Sequence, residues 1–303
     1  MPAFLKLILS RTVIFYLACL ILIGFTLNYP KLISNAVPQT LSRLTPPMDY
    51  FSEFVDKQKG YDRFKLMNCV NYHRAVADFF SFQKAEALGM LGFCYERLGN
   101  EPQAVSSYKK AITLNPDYFW PYYDLGVIYY QKAQYPRAAG YFEQAIERDP
   151  VKSLVLLSRS KVYNDVRLSE AKGSYDYLEG LKEGRVKAYT LLMDSLSKTG
   201  AYDELWKIAM IGSKEGLDTQ GIFYYYVGLA DFYLKSYDQA MGSFQMSLQV
   251  NPDNADALMY MGMCLHLANK EEIAQALLSK ASLIHQQRGS GSEPYLNARV
   301  RFF

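Results

Sequence analysis

This chain is poor in the residues that do chemistry. Its 303 residues include three histidines, four cysteines and two tryptophans. His73, His266 and His285 share no metal-ligand spacing, and no Cys-x-x-Cys pair occurs. There is no phosphate-binding glycine loop, no dinucleotide fingerprint, no nucleophile elbow and no His-Glu-x-x-His. These absences argue against an enzyme, a metal site and a bound cofactor. Charge is also sparse and scattered. The formal net charge is +3 with no block of one sign, so the basic footprint of a nucleic-acid binder is missing.

Apolar length is concentrated in one place. From Thr12 to Leu27 the sequence TVIFYLACLILIGFTL carries no charge, and Asn28-Tyr29-Pro30 closes it. Sixteen helical residues reach about 24 Å, short of the roughly 30 Å hydrocarbon core. Leu7-Ile8-Leu9 extend the run if Arg11 snorkels to the headgroups. Residues 1–29 therefore predict an N-terminal transmembrane anchor, with contact to the membrane through residues 12–29. A cleaved signal peptide is one alternative, since Ser34-Asn35-Ala36 places small residues suitably but far downstream, and a buried core helix is another. Lys6 and Arg11 precede the span while Lys31 and Arg43 follow it. With the α-amino group, the positive-inside bias puts the N-terminus in the cytoplasm by one charge. The expectation is a single-pass protein of a bacterial inner membrane with a periplasmic body. Three cysteines outside the span, an odd number, pull mildly against an oxidising compartment. Residues 30–60, with Pro30, Pro38, Pro46 and Pro47, read as a stalk.

What the body has in abundance is repetition. Asn115-Pro116-Asp117, Asp149-Pro150 and Asn251-Pro252-Asp253 are separated by 34 residues and by 102, three times 34. The same offsets relate Gly92, Gly126, Gly228 and Gly262, and Ala104, Ala138, Ala240 and Ala274. A fixed period of this length marks a stacked helical array. Numbering from residue 85, Leu88 and Tyr122 hold position 4, Leu91 and Leu125 position 7, and Gly92 and Gly126 position 8. Tyr95 and Tyr129 hold position 11, Ala104 and Ala138 position 20, and Tyr108 and Phe142 position 24. Ala111 and Ala145 hold position 27, and Pro116 and Pro150 position 32. Small residues at 8, 20 and 27 let two antiparallel helices approach, and large ones at 4, 7, 11 and 24 fill between them.

This pattern resembles the tetratricopeptide repeat family. The resemblance implies an all-α fold, a right-handed α-solenoid of antiparallel helix pairs with about five to seven units over residues 61–288. Units 85–118, 119–152, 221–254 and 255–288 are clear. Asp231 and Ser247 depart from pattern at positions 11 and 27. Residues 153–220 have room for two divergent units, the second recognisable through Tyr189, Leu192, Leu196, Gly200, Tyr202 and Leu205. A partial unit precedes residue 85, and residues 289–303 form a flexible tail beginning Gly289-Ser290-Gly291-Ser292. Cys94 and Cys264 share position 10, where the family packs small residues, so both read as packing rather than as disulfide or metal ligands. Cys69 has no assigned role.

Family members bind other proteins along a groove lined by positions 2, 5, 9, 12 and 13. Here those positions hold Phe93, Trp120, Tyr123, Val127 and Tyr130, then Ile222, Tyr225, Leu229, Phe232 and Tyr233, then Met259, Met263 and His266. The divergent middle offers Lys187, Asp194 and Lys198. Such a groove suits an apolar helix or an extended peptide. The carboxylate clamp that some members use on heat-shock chaperones is not matched, because Gly89, Phe93 and Asp124 stand at its positions. The expected function is a membrane-anchored, non-catalytic scaffold or adaptor for assembling a membrane or envelope complex. Alternatives are a regulatory subunit of an envelope enzyme and a cytosol-facing receptor or assembly factor.

Overall fold

The computed structural model describes residues 63–79, 84–148, 174–218 and 220–288. All regular structure among them is helical, in eleven helices. Helix α1 (Arg63–Phe79) precedes five hairpins. These are α2 (Lys84–Arg97) with α3 (Glu101–Leu114), and α4 (Phe119–Gln131) with α5 (Tyr135–Ile146). They continue as α6 (Ser174–Thr199) with α7 (Tyr202–Lys214), α8 (Ile222–Tyr233) with α9 (Tyr237–Val250), and α10 (Ala255–Leu267) with α11 (Glu271–Arg288). Each helix packs on its hairpin partner and on the next unit, so one apolar core runs from Leu66 to Cys264.

The repeat positions explain the stacking. A Cβ on Gly92, Gly126 or Gly228 would stand 2.6–2.7 Å from the ring of Tyr108, Phe142 or Phe244 respectively. Position 8 is thus the floor on which the ring at position 24 lies, and any side chain there would push the hairpin open. Units are joined by repeated turns. The amides of Asp117 and Asp253 donate to the side-chain oxygens of Asn115 and Asn251 at 3.2 and 3.3 Å. Within each hairpin the turn residue at position 15 has a left-handed backbone: Gly99, Ala133, Gly200, Lys235 and Asn269.

Two departures from the repeat pattern have local reasons. Ser247 is fully buried and donates to the Gly221 carbonyl at 2.7 Å, while its oxygen accepts from Asn254 Nδ2 at 3.2 Å. Asn254 in turn caps α10 by accepting from the Ala257 amide at 3.1 Å. Asp231 is buried beside the Trp206 indole; burial raises its pKa and the indole bond partly offsets that.

The middle of the array differs from the expectation of two units in 153–220. Helix α6 runs unbroken for 26 residues and packs directly on α5, so no described hairpin stands between the unit at 119 and the one led by α6. Gly184 in its extension admits the Trp120 ring, which would lie 2.7 Å from an added Cβ. Residues 149–173, including most of the first expected unit, lie outside the described residues. So do the expected anchor, stalk and tail. Among the described residues no helix is long and apolar enough to cross a membrane.

Candidate functional site

The thirteen residues expected to line a groove separate by burial. Phe93, Trp120, Tyr123, Val127, Ile222, Tyr225 and Leu229 are buried. Tyr130, Phe232 and Met259 are half-buried, while Tyr233, Met263 and His266 are exposed. Positions 2, 5 and 9 are covered in the units ahead of α10 because successive first helices touch, while Met259 and Met263 on α10 are less covered. Tyr260 of α10 lies with its ring centroid 6.4 Å from that of Tyr225 and 5.2 Å from that of Phe232. What remains open is the set at positions 12 and 13, near the hairpin turns.

Near the middle of the array this open set is polar. The Tyr130 hydroxyl donates to Asp194 Oδ2 at 2.5 Å, and Lys198 Nζ stands 3.1 Å from the same oxygen. The Lys198 ammonium also lies over the rings of Tyr130 and Tyr135, 5.3 and 5.2 Å from their centroids. A cation held between two aromatic faces and a carboxylate is a fixed polar mark on this surface.

Toward the C-terminal end the surface becomes a ladder of tyrosines. Tyr202 and Tyr233 stack at 4.3 Å with an 8° interplanar angle. The hydroxyls of Tyr233 and Tyr260 are 3.3 Å apart, and Phe232 packs edge-on to Tyr237 at 5.6 Å. Tyr233 is 45% exposed. Burial, and then Tyr233, push the phenols of Tyr202 and Tyr260 up, so both stay protonated at neutral pH. The ladder therefore offers rigid apolar faces edged with hydroxyl groups able to donate or accept hydrogen bonds.

Beside it, an open cleft of about 410 Å³ lies between the start of α9 and the end of α10, with Lys235, Tyr237, Met241, Cys264 and Leu267 in its walls. Burial raises the Cys264 thiol to about 11, which leaves it protonated and a poor nucleophile. His266 Nδ1 is 2.6 Å from Glu271 Oε2. Among the described residues no three histidine, cysteine or acidic side chains converge as a metal site.

Sequence reasoning did not single out Tyr202 and Tyr260 as surface residues, although the frame held a signal for one of them. Position 17 carries Tyr135, Tyr202 and Tyr237; Tyr135 and Tyr237 lie against an aromatic at position 12 of their own units, and Tyr202 against Tyr233 at position 13 of the next. Cys94 needs a correction. It is not packing alone: it forms a disulfide with Cys69, their Cα atoms 6.2 Å apart, tying α1 to α2. A pair separated by 25 residues in different units is invisible to a 34-residue register. Cys264 is free and buried, as the register implies.

Family models agree with the helical-repeat geometry of residues 91–150. Models described as TPR repeat and tetratricopeptide repeat match residues 91–132 and 120–150. The chain is 38% identical over 76 residues to human tetratricopeptide repeat protein 6, covering 25% of this chain and 15% of that protein. It is 25% identical over 189 residues to TPR repeat-containing protein MJ1428 of Methanocaldococcus jannaschii, covering 61% and 28%. It is 26% identical over 202 residues to human protein O-mannosyl-transferase TMTC1, covering 64% and 22%. The chain thus spans between 15% and 28% of the length of these relatives. Among solved structures, YrrB, described as a TPR protein with an unusual peptide-binding site, superposes with a TM-score of 0.49 at 17% identity. That match covers 75% of this chain and 96% of YrrB. MamA gives 0.48 at 15% identity, covering 68% and 94%.

Residues 91–150 therefore match tetratricopeptide-repeat models, repeats that in general form all-helical solenoids serving protein interaction. Residues 91–150 hold the matched repeats, and the five described hairpins extend them into one stack.

Proposed function

We propose that this protein is a membrane-anchored scaffold that holds a partner protein on its repeat array during assembly of a membrane or envelope complex. The observation that carries the reading is the ladder of Tyr202, Tyr233 and Tyr260. It joins helices of three successive hairpins and leaves the Tyr233 ring in solvent. Rigid rings give contact area at little entropic cost, so such a row suits an apolar helix or an extended segment of a partner. The Lys198–Asp194 pair on the same series of first helices would fix the register of that segment by charge.

The Cys69–Cys94 disulfide supports placing the body outside the cytoplasm, since such bonds persist in oxidising compartments. With these two paired and Cys264 buried and protonated, the odd cysteine count no longer opposes that topology. The apolar run Thr12–Leu27 supplies the anchor.

Two experiments test the reading. Tyr233→Ala in the full chain should abolish co-purification of the partner while leaving helicity unchanged; retention of the partner would refute the ladder as the docking surface. Protease added to intact spheroplasts should digest the array, and digestion only after lysis would refute the extracytoplasmic body.

A further inference from the structure

The tyrosine ladder holds more hydroxyl protons than it uses. The Tyr233 hydroxyl stands 3.3 Å from that of Tyr260 and also meets the Tyr202 phenol. Three phenols bring three protons, and a chain of three uses at most two of them internally. At least one is left to donate away from the ladder. Its acceptor is not an anion. Tyr233, Asp256 and Tyr202 act on the Tyr260 phenol, and the one charged group among them is a carboxylate. That charge repels a negative ligand, so the spare proton suits a neutral oxygen such as a peptide carbonyl.

Spacing narrows the ligand further. Helices α6, α8 and α10 touch in succession, which sets neighbouring axes about 8–10 Å apart. Position 13 recurs at that interval as Lys198, Tyr233 and Leu267, all three exposed. Three residues of a polyproline II helix advance about 9 Å and return to the same side. One α-helical turn advances about 5.4 Å, and two residues of a strand about 6.7 Å. Of the three, polyproline II matches the step between units. Its carbonyls have no internal partner and are open to a donor, whereas those of an α-helix are already bonded. Proline also leaves no amide hydrogen to satisfy on this surface.

We propose, on the reading that the ladder is the docking surface, that it takes a proline-rich segment of the partner in polyproline II form. One proline ring lies against Tyr233 and another, three residues away, against Leu267. A carbonyl between them accepts the spare phenol proton. Such a segment is ordered before it docks, so little conformational entropy is lost on binding.

Fluorescence anisotropy with the full chain and a labelled peptide of about nine prolines, enough for three turns, tests it. The peptide should bind. Tyr233→Phe, which keeps the ring and removes the hydroxyl, should weaken binding about fivefold, the share of one neutral hydrogen bond. Tyr233→Ala should abolish binding with helicity unchanged, and an amphipathic helical peptide of similar length should not bind. No binding of the proline peptide at millimolar concentration would overturn the proposal, as would equal affinity for all three proteins. Binding of the helical peptide alone, lost on Tyr233→Ala, would overturn it too while leaving the ladder as a docking surface. Failure of the ladder itself is read separately, from a partner that still co-purifies with Tyr233→Ala.

Discussion

Tyr130 and Asp194 are 64 residues apart in sequence and share a 2.5 Å hydrogen bond. The bond joins α4 to α6, and with Trp120 against Gly184 it makes the two halves of the array neighbours in one stack. Hydrogen bonds to ionised partners are the stronger kind. Tyr130→Phe should therefore destabilise the array by about 1.5 kcal/mol in chemical denaturation. Asp194→Asn should cost less when combined with Tyr130→Phe than alone, a coupling that a double-mutant cycle reads directly.

Position 15 holds a left-handed backbone in all five hairpins, but only Gly99 and Gly200 are glycine there. Side chains in that conformation cost about 1–2 kcal/mol, part of which glycine gives back through its freer unfolded state. Ala133→Gly and Lys235→Gly should each stabilise the protein by about 0.5 kcal/mol, seen as a higher melting temperature. Gly99→Ala should lower it.

Glu143 on α5 meets Glu204 on α7, and burial followed by this neighbour raises the Glu143 carboxyl to about 7. Glu147 adds a smaller push in the same direction. The folded pKa lies above the unfolded one, so the pair is least costly at low pH. Stability is lost as pH rises through about 7. The melting temperature should fall across that range, and Glu204→Gln should flatten the fall. A pH profile unchanged by that substitution would contradict the pairing.

The disulfide closes a loop between Cys69 and Cys94, 25 residues apart. By loop-closure entropy its reduction should cost about 3 kcal/mol, with the loss confined to α1 and α2. Hydrogen exchange with and without reductant would locate it: faster exchange in 63–97 and unchanged exchange in α8 to α11.

How much of this was legible in the sequence follows from the period. Positions 8 and 24 could be read wherever glycine faces an aromatic, as at Gly126 and Phe142. In the unit led by α6 the same two positions hold Met193 and Ala209, both fully buried. Large and small have changed places between the helices, which preserves volume and hides the pattern. The fusion of α6 into one long helix was invisible for a further reason: nothing in Lys182-Glu183-Gly184-Arg185 forbids helix, and the repeat predicted a hairpin boundary near there. The site was less legible than the fold. Groove positions carried over from the resemblance include seven that stacking buries, since spacing gives a face of a helix and only packing decides whether that face is open. Tyr233, at position 13, survived because the next first helix passes below it.

The central claim is that the tyrosine ladder holds a partner protein. Photo-crosslinking in intact cells tests it most directly, with a benzophenone amino acid at position 233 and, as control, at Leu114 on the outer helix α3, which is 51% exposed. The account predicts a discrete protein adduct from position 233 and none from position 114. Adducts from 114 alone, or none from 233 when the chain is folded and abundant, would contradict it.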